Sequence, residues 1–320
     1  MYIPTFEDVL GAQERIKPHV HTTPVATSRY LDGLTGATLF FKCENFQKTG
    51  AFKVRGASNA VFSLLDEQAE KGVATHSSGN HAAALSYAAA CRGIQATAVM
   101  PRNAPEEKKA AVRDYGGEIL ECEPTTAARE TLLEALVEET GAHFVHPYND
   151  PRVIAGQATC ACELHEEVGP LDAVVAPIGG GGLISGTCLG LSGMSPDTRI
   201  YAAEPKNADD ACRSLQAGRM MEDNTPMTVA DGLRTCLRPR TWHFVSRHVT
   251  DVLLATEDEI IQAMYLTWER MKMVIEPSSA VPLATILNNP SLFAGKRVGV
   301  LVSGGNVSLK KLPWMNTGLT

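Results

Sequence analysis

Four consecutive glycines, Gly179–Gly182, follow the apolar run Asp172-Ala-Val-Val-Ala-Pro-Ile178 and lead into Leu183-Ile-Ser-Gly-Thr187, an order that reads as strand, glycine loop, helix. Each glycine held in one conformation forfeits about 0.5–1 kcal/mol relative to alanine, so a run of four marks a place where side chains would obstruct something. Bare N–H groups at a helix start converge on an anion, and the helix dipole adds a favourable field. The obstructed object is therefore read as a phosphate. A nucleotide triphosphatase is disfavoured, because Gly181 and Gly186 have P-loop spacing but Thr187 stands where that loop needs lysine. The dinucleotide fingerprint fails too, with Ile184 or Ser185 at its third glycine. A nicotinamide dehydrogenase stays as the weaker alternative, since Glu204 ends the short run Ile200–Glu204 near the distance of a ribose-binding carboxylate.

With 320 residues, 44% of them hydrophobic, the chain can bury one large core or two of ordinary size. Its net charge of -7 and the lack of a long Lys/Arg run argue against a nucleic-acid or anionic-membrane partner. The start, Met1–Val9, has no basic region ahead of a long apolar core, and no later segment approaches a membrane span, so a cytoplasmic protein is expected. Eight cysteines occur without paired spacing. They read as buried free thiols, against a remote zinc alternative at Cys160, Cys162 and His165.

Beyond a helix near Phe6–Lys17, short apolar runs alternate with amphipathic stretches, the pattern of a parallel α/β sheet. The expected strands are Leu39–Cys43, Val73–His76, Gln95–Met100, Glu118–Cys122, His143–His146, Val174–Ile178, Ile200–Ala203, Asp251–Leu254 and Arg297–Val302. Nine strands suggest two sheets. A smaller domain over 72–150 is expected, inserted into a larger one made of 1–71 and 151–320.

Lys53 follows Gly50 at the start of an expected helix, Phe52–Leu65. A helix N-terminus repels positive charge, which favours the neutral amine that Schiff-base chemistry requires. A solvated lysine is the plain alternative. His76-Ser-Ser-Gly-Asn-His81 is a polar loop between a strand and the expected helix Ala82–Cys91, suited to a carboxylate or phenolic oxygen, or simply to capping that helix. Val302-Ser-Gly-Gly-Asn306 is a third such loop. Loops at strand C-terminal ends converge on one crevice in an open α/β sheet.

A phosphate cradle, an activated lysine and loops for polar ring substituents resemble the fold type II pyridoxal-phosphate enzymes, tryptophan synthase β-like α/β proteins with two open parallel-sheet domains. The resemblance is closest to the serine racemase and serine/threonine dehydratase family, through GAFKVRGA (Gly50–Ala57), HSSGNH (His76–His81), GGGGLISG (Gly179–Gly186), EPKNADDA (Glu204–Ala211), ADGLRT (Ala230–Thr235), IEPSSA (Ile275–Ala280) and SGGN (Ser303–Asn306). It implies that Lys53 carries the cofactor as a Schiff base, Phe52 lies against its ring, Asn80 binds its phenolic oxygen, Gly179, Gly180, Gly181 and Gly182 hold its phosphate, and Ser303 faces the pyridine nitrogen. A serine there leaves the ring near neutral and a weaker electron sink. The substrate carboxylate is expected on Ser77, Ser78, Asn80 and His81, with Lys53 taking the α proton and Ser78 acting as the second acid/base that racemisation needs.

The activity so implied is serine racemase with L-serine (L-threonine) dehydratase, giving pyruvate or 2-oxobutanoate and ammonia, with the cofactor phosphate as proton donor to the leaving hydroxyl. L-threo-3-hydroxyaspartate dehydratase is the alternative. Ala51, where racemases usually have serine, also occurs in relatives acting on that substrate, whose second carboxylate needs a cation; Arg129 and Arg234 are the candidates. The resemblance also implies a Mg2+ (or Ca2+/Mn2+) site at Glu204, the Ala208 carbonyl and Asp210, and a homodimer. ATP activation through Lys48, Thr49, Lys272 and Asn306 is not expected, since Arg29 and Tyr30 are bulky where smaller residues would be needed.

Overall fold

The computed structural model describes residues 1–77, 79–222 and 226–316. Among them are ten strands: β1 (Val25–Ala26), β2 (Thr38–Cys43), β3 (Val73–His76), β4 (Ala96–Pro101), β5 (Glu118–Cys122), β6 (His143–Phe144), β7 (Ala173–Pro177), β8 (Arg199–Pro205), β9 (Val249–Ala255) and β10 (Arg297–Val302). They form two sheets, one ordered β1-β2-β10-β7-β8-β9 and one ordered β5-β4-β3-β6. Every pairing is parallel except β1 with β2. All nine expected strands are present. β1 was not anticipated, because two residues pairing antiparallel at an edge leave no periodic signal.

The larger sheet is covered on both faces, as parallel sheets are. Along β7, Ala173 and Val175 point into one apolar cluster while Val174 and Ala176 point into another. The helix Pro277–Asn288 covers the first face through Ala280, Val281, Leu283, Ala284 and Ile286. The helices Pro151–Val168 and Gly182–Met194 cover the second. The helix Lys53–Phe62 crosses Pro151–Val168 so closely that a Cβ on Gly156 would sit 2.6 Å from the Arg55 carbonyl oxygen. That crossing fixes the direction in which the helix carries Lys53.

No helix among the described residues is long and apolar enough to cross a membrane. Six of the eight cysteines are buried as expected. Cys91 is exposed and Cys236 is half-buried, so the expectation of a wholly buried set is corrected for those two.

Candidate active site

A cavity of about 720 Å³ opens at the C-terminal ends of β3, β7 and β10 and is lined by Lys53, Ser77, Asn80, His81, Gly179–Gly182, Glu276 and Ser303. The polar loops singled out in the sequence thus meet at one place. Ser78, expected beside them, lies outside the described residues.

The Lys53 amine donates to the Pro147 carbonyl at 2.9 Å. Burial lowers its pKa to about 8, against the opposing charge of Glu276. The depressed lysine anticipated from the helix dipole is present, but desolvation is the leading cause. Phe52 precedes it, its ring centroid 5.1 Å from the amine, and its N–H donates to the Ser303 carbonyl at 3.0 Å, which ties the end of β10 to the start of this helix. The Ser303 side chain is buried with its Oγ 3.0 Å from Ser279 Oγ.

The Asn80 amide donates to both oxygens of Glu276, at 3.0 and 3.1 Å, and its carbonyl oxygen accepts from Asn306 Nδ2 at 3.0 Å. Glu276 is buried, and burial raises its pKa to about 7, with the Asn80 bond pulling the other way. Ser77 lies at the cavity edge, its Oγ accepting from Gly79 N at 3.5 Å. The ring of buried His81 lines the cavity with Nε2 3.3 Å from the Val145 carbonyl, so this nitrogen carries the hydrogen. Burial, reinforced by Lys53, pushes its pKa well below the usual histidine range. The His81 main chain can serve an anion at the start of the helix Asn80–Arg92, where the first N–H groups lack intrahelical acceptors.

The glycine loop is a cradle that side chains would fill. A Cβ on Gly180 would lie 2.5 Å from the Tyr148 ring and one on Gly179 2.8 Å from Leu233 Cα, while Gly181 has φ +86°. Left-handed backbone without Cβ atoms, at the start of the helix Gly182–Met194, fits a phosphate group. With an amine of lowered pKa opposite it, the cavity has the complement pyridoxal phosphate requires.

Arg129 lines the cavity. Arg234 does too, but it is exposed rather than buried, and its Nε donates to the Thr228 carbonyl at 3.1 Å with Nη2 on the same oxygen. Sequence reasoning missed Glu276, His146, Tyr148 and Arg238, all of which line the cavity. Glu276 lay in the quoted IEPSSA motif; the other three carried no local signal.

The expected metal ligands stand apart from this cavity. Glu204 and Asp210 are buried, as is Ala208 in the 3-10 turn Lys206–Ala208. The Glu204 oxygens accept from Ala211 N and Cys212 N, each at 2.9 Å. Burial, with the charge of Asp210 added, holds the Glu204 pKa well above the ordinary carboxylate range. Among the described residues no group of three or more His, Cys, Asp or Glu is placed to hold a metal.

The two sheets and the site define a fold type II enzyme, and the chain belongs to the pyridoxal-phosphate dependent enzyme family, whose model matches residues 16–304. It is 66% identical over 314 residues to beta-hydroxyaspartate dehydratase of Paracoccus denitrificans, covering 98% of this chain and 100% of that one. It is 51% identical to serine racemase of Arabidopsis thaliana, covering 94% and 92%. The solved structure of maize serine racemase superposes with a TM-score of 0.95 at 46% identity, covering 99% of this chain and 97% of that one.

Proposed function

We propose that this protein is a pyridoxal-phosphate-dependent dehydratase of 3-hydroxyaspartate. The observation that carries the reading is the 66% identity to a beta-hydroxyaspartate dehydratase along nearly the whole of both chains. The cationic cavity wall, with Arg129, Arg234 and Arg238, supports it, since a dicarboxylic substrate brings one more negative charge than serine.

The bound cofactor would supply an electron sink for the pair left on Cα when its proton departs. Lys53 would hold the cofactor and then, released, take that proton. Asn80, its amide fixed by Glu276 and Asn306, would meet the phenolic oxygen, and Gly179–Gly182 the phosphate. Ser77 and the N–H groups at the start of Asn80–Arg92 would bind the α-carboxylate. The Cα–H and Cβ–OH bonds break, water leaves, and the enamine so formed hydrolyses to oxaloacetate and ammonia. The test is keto-acid release and chiral amino-acid analysis in one assay, with the 3-hydroxyaspartate diastereomers, L-serine and L-threonine compared. Oxaloacetate release from a 3-hydroxyaspartate at a kcat/KM at least about tenfold above the others is expected. Preference for L-serine would sink the reading.

Serine racemase with serine dehydratase activity is the second reading, supported by the 51% identity to a plant serine racemase. D-serine formed from L-serine would establish it, with Ser78 as the second acid/base.

We also read Glu204, the Ala208 carbonyl and Asp210 as a magnesium or calcium site. Buried Glu204, its proton affinity raised by burial and by the charge of buried Asp210, is a destabilising carboxylate that a divalent cation would relieve. After chelator treatment, saturating magnesium should raise the melting temperature by about 5 °C, from the stabilisation ligand binding gives. Glu204→Gln should melt higher than the chelated wild type and ignore magnesium. An undiminished magnesium shift in that variant would exclude the site. Residues 1–71 with 151–320, and 72–150, are read as the large and small domains. A cytoplasmic homodimer is the fitting assembly, given free thiols and exposed Tyr30, Phe46 and Val274.

A further inference from the structure

A second carboxylate needs a receptor, and the cavity cations differ in how committed they are. Lys108 is paired with Asp231, and Arg234 spends two nitrogens on the Thr228 carbonyl. Arg238 lines the same cavity and, like Arg234, is exposed, and its ion pair with Glu130 spans 3.8 Å, the outer limit of such contacts. That pair is weak enough to exchange for a better-placed carboxylate.

The side chain is nevertheless carried on a rigid stub. The Arg238 N–H donates to Thr241 Oγ1 at 3.0 Å, and the Thr241 hydroxyl also lies 3.0 Å from the Arg238 carbonyl, at the start of the helix Pro239–His248. Leu237 and Thr241 pack against the glycine loop so tightly that a Cβ on Gly181 would lie 2.8 Å from each. The Arg238 backbone is thus fixed relative to the phosphate cradle.

Its neighbours are the wall beside Lys53. The Arg238 charge acts on the Tyr148 hydroxyl and on His146. His146 and Tyr148 flank Pro147, whose carbonyl receives the Lys53 amine, and their rings meet edge to face at 4.6 Å. Neither histidine of this wall supplies charge. Burial drives His146 down to about 3, with His76 and Arg238 adding to the effect, and burial with Arg129 lowers His76.

We propose that Arg238, with the Tyr148 hydroxyl, binds the second carboxylate of a dicarboxylic substrate and so sets the preference for 3-hydroxyaspartate over serine. The inference rests on the dehydratase reading above and assigns one residue of its cationic wall a particular role. Arg238 is a substrate-binding residue; it takes no part in proton transfer.

The test measures kcat/KM for 3-hydroxyaspartate and for L-serine in wild type, Arg238→Gln and Arg238→Lys, together with inhibition by malonate and by acetate. Losing a charge-assisted, two-pronged contact should lower the hydroxyaspartate-to-serine ratio by about 10- to 100-fold in Arg238→Gln, chiefly through KM. Arg238→Lys should recover part of the ratio, since it keeps the charge and loses the fork. Malonate inhibition should weaken in parallel while acetate inhibition moves by less than about threefold. A ratio in Arg238→Gln within about threefold of wild type, with malonate inhibition retained, overturns the assignment. Should wild type fail to turn over 3-hydroxyaspartate, the dehydratase reading falls by itself. The malonate comparison then still decides whether Arg238 receives a second carboxylate.

Discussion

Lys53→Ala is expected to lower turnover of every amino-acid substrate by about 10³-fold or more, since the residue both holds the cofactor and moves the α proton, and a positioned acid/base alone contributes 10²–10⁴. The purified variant should lack the yellow band of the covalently held cofactor and lose the cofactor on dialysis. A second readout comes from the pKa of about 8. At pH 7 about a tenth of such amines are neutral, against roughly one in three thousand for an unperturbed lysine. Covalent uptake of pyridoxal phosphate by wild-type apoprotein should therefore climb with pH and level off above a midpoint near 8. The sign follows from burial, which disfavours the ammonium and leaves the attacking amine available at lower pH. A midpoint near the ordinary lysine value would show that the cavity does not desolvate the amine. Retention of more than about a tenth of the activity in Lys53→Ala would remove this residue from the chemistry.

The strands were legible because a parallel sheet buried on both faces demands uninterrupted apolar runs, and Val174–Ile178 and Val298–Val302 are such runs. The glycine cradle was legible because four adjacent glycines have few other physical explanations. Groups whose meaning arises only from long-range packing were not. Glu276 joins Asn80 across 196 positions of sequence, and Arg238 reaches the cavity wall from the start of a helix whose sequence, Pro239–His248, reads as an ordinary amphipathic one. The His81 ring is a further case. Its place in the polar loop was visible, but the Val145 carbonyl that claims its Nε2 lies 64 positions away. The lowered pKa of Lys53 was expected for a lesser reason, because a helix dipole can be read from a sequence and desolvation cannot.

What holds Lys53 in place is a buried charge network two residues further along its helix, and Arg55→Leu should cost about 3–5 kcal/mol, the usual price of stranding a buried ion. Arg55 is fully buried and grips two carboxylates. Its Nε and Nη2 donate to Glu44 at 2.7 and 2.8 Å, and its Nη1 and Nη2 donate to Glu163 at 2.7 Å each. Lys42 completes the set at 2.8 Å from Glu163, so two cations face two anions. Deleting Arg55 leaves Lys42 alone against both acids. A fall of about 10 °C in melting temperature follows for a chain of this size. The defect should also shrink in acid. Burial pushes the Glu44 pKa up, but Arg55 outweighs it and holds the value below the ordinary one. In wild type this contributes stability above the unfolded pKa that is lost as pH falls. Without Arg55 burial is opposed by the Thr23 hydrogen bond and the charge of Lys42 but no longer by the largest counter-effect, the folded pKa rises, and the variant gains relative to wild type as Glu44 takes a proton. Urea unfolding at pH 7 and pH 5 should therefore show a smaller gap at pH 5. Arg55→Leu combined with Glu44→Leu should recover much of the loss, because Lys42 and Glu163 remain matched. A double variant no more stable than the single one would mean that Arg55 acts through packing, with its charge incidental to the placement of Lys53.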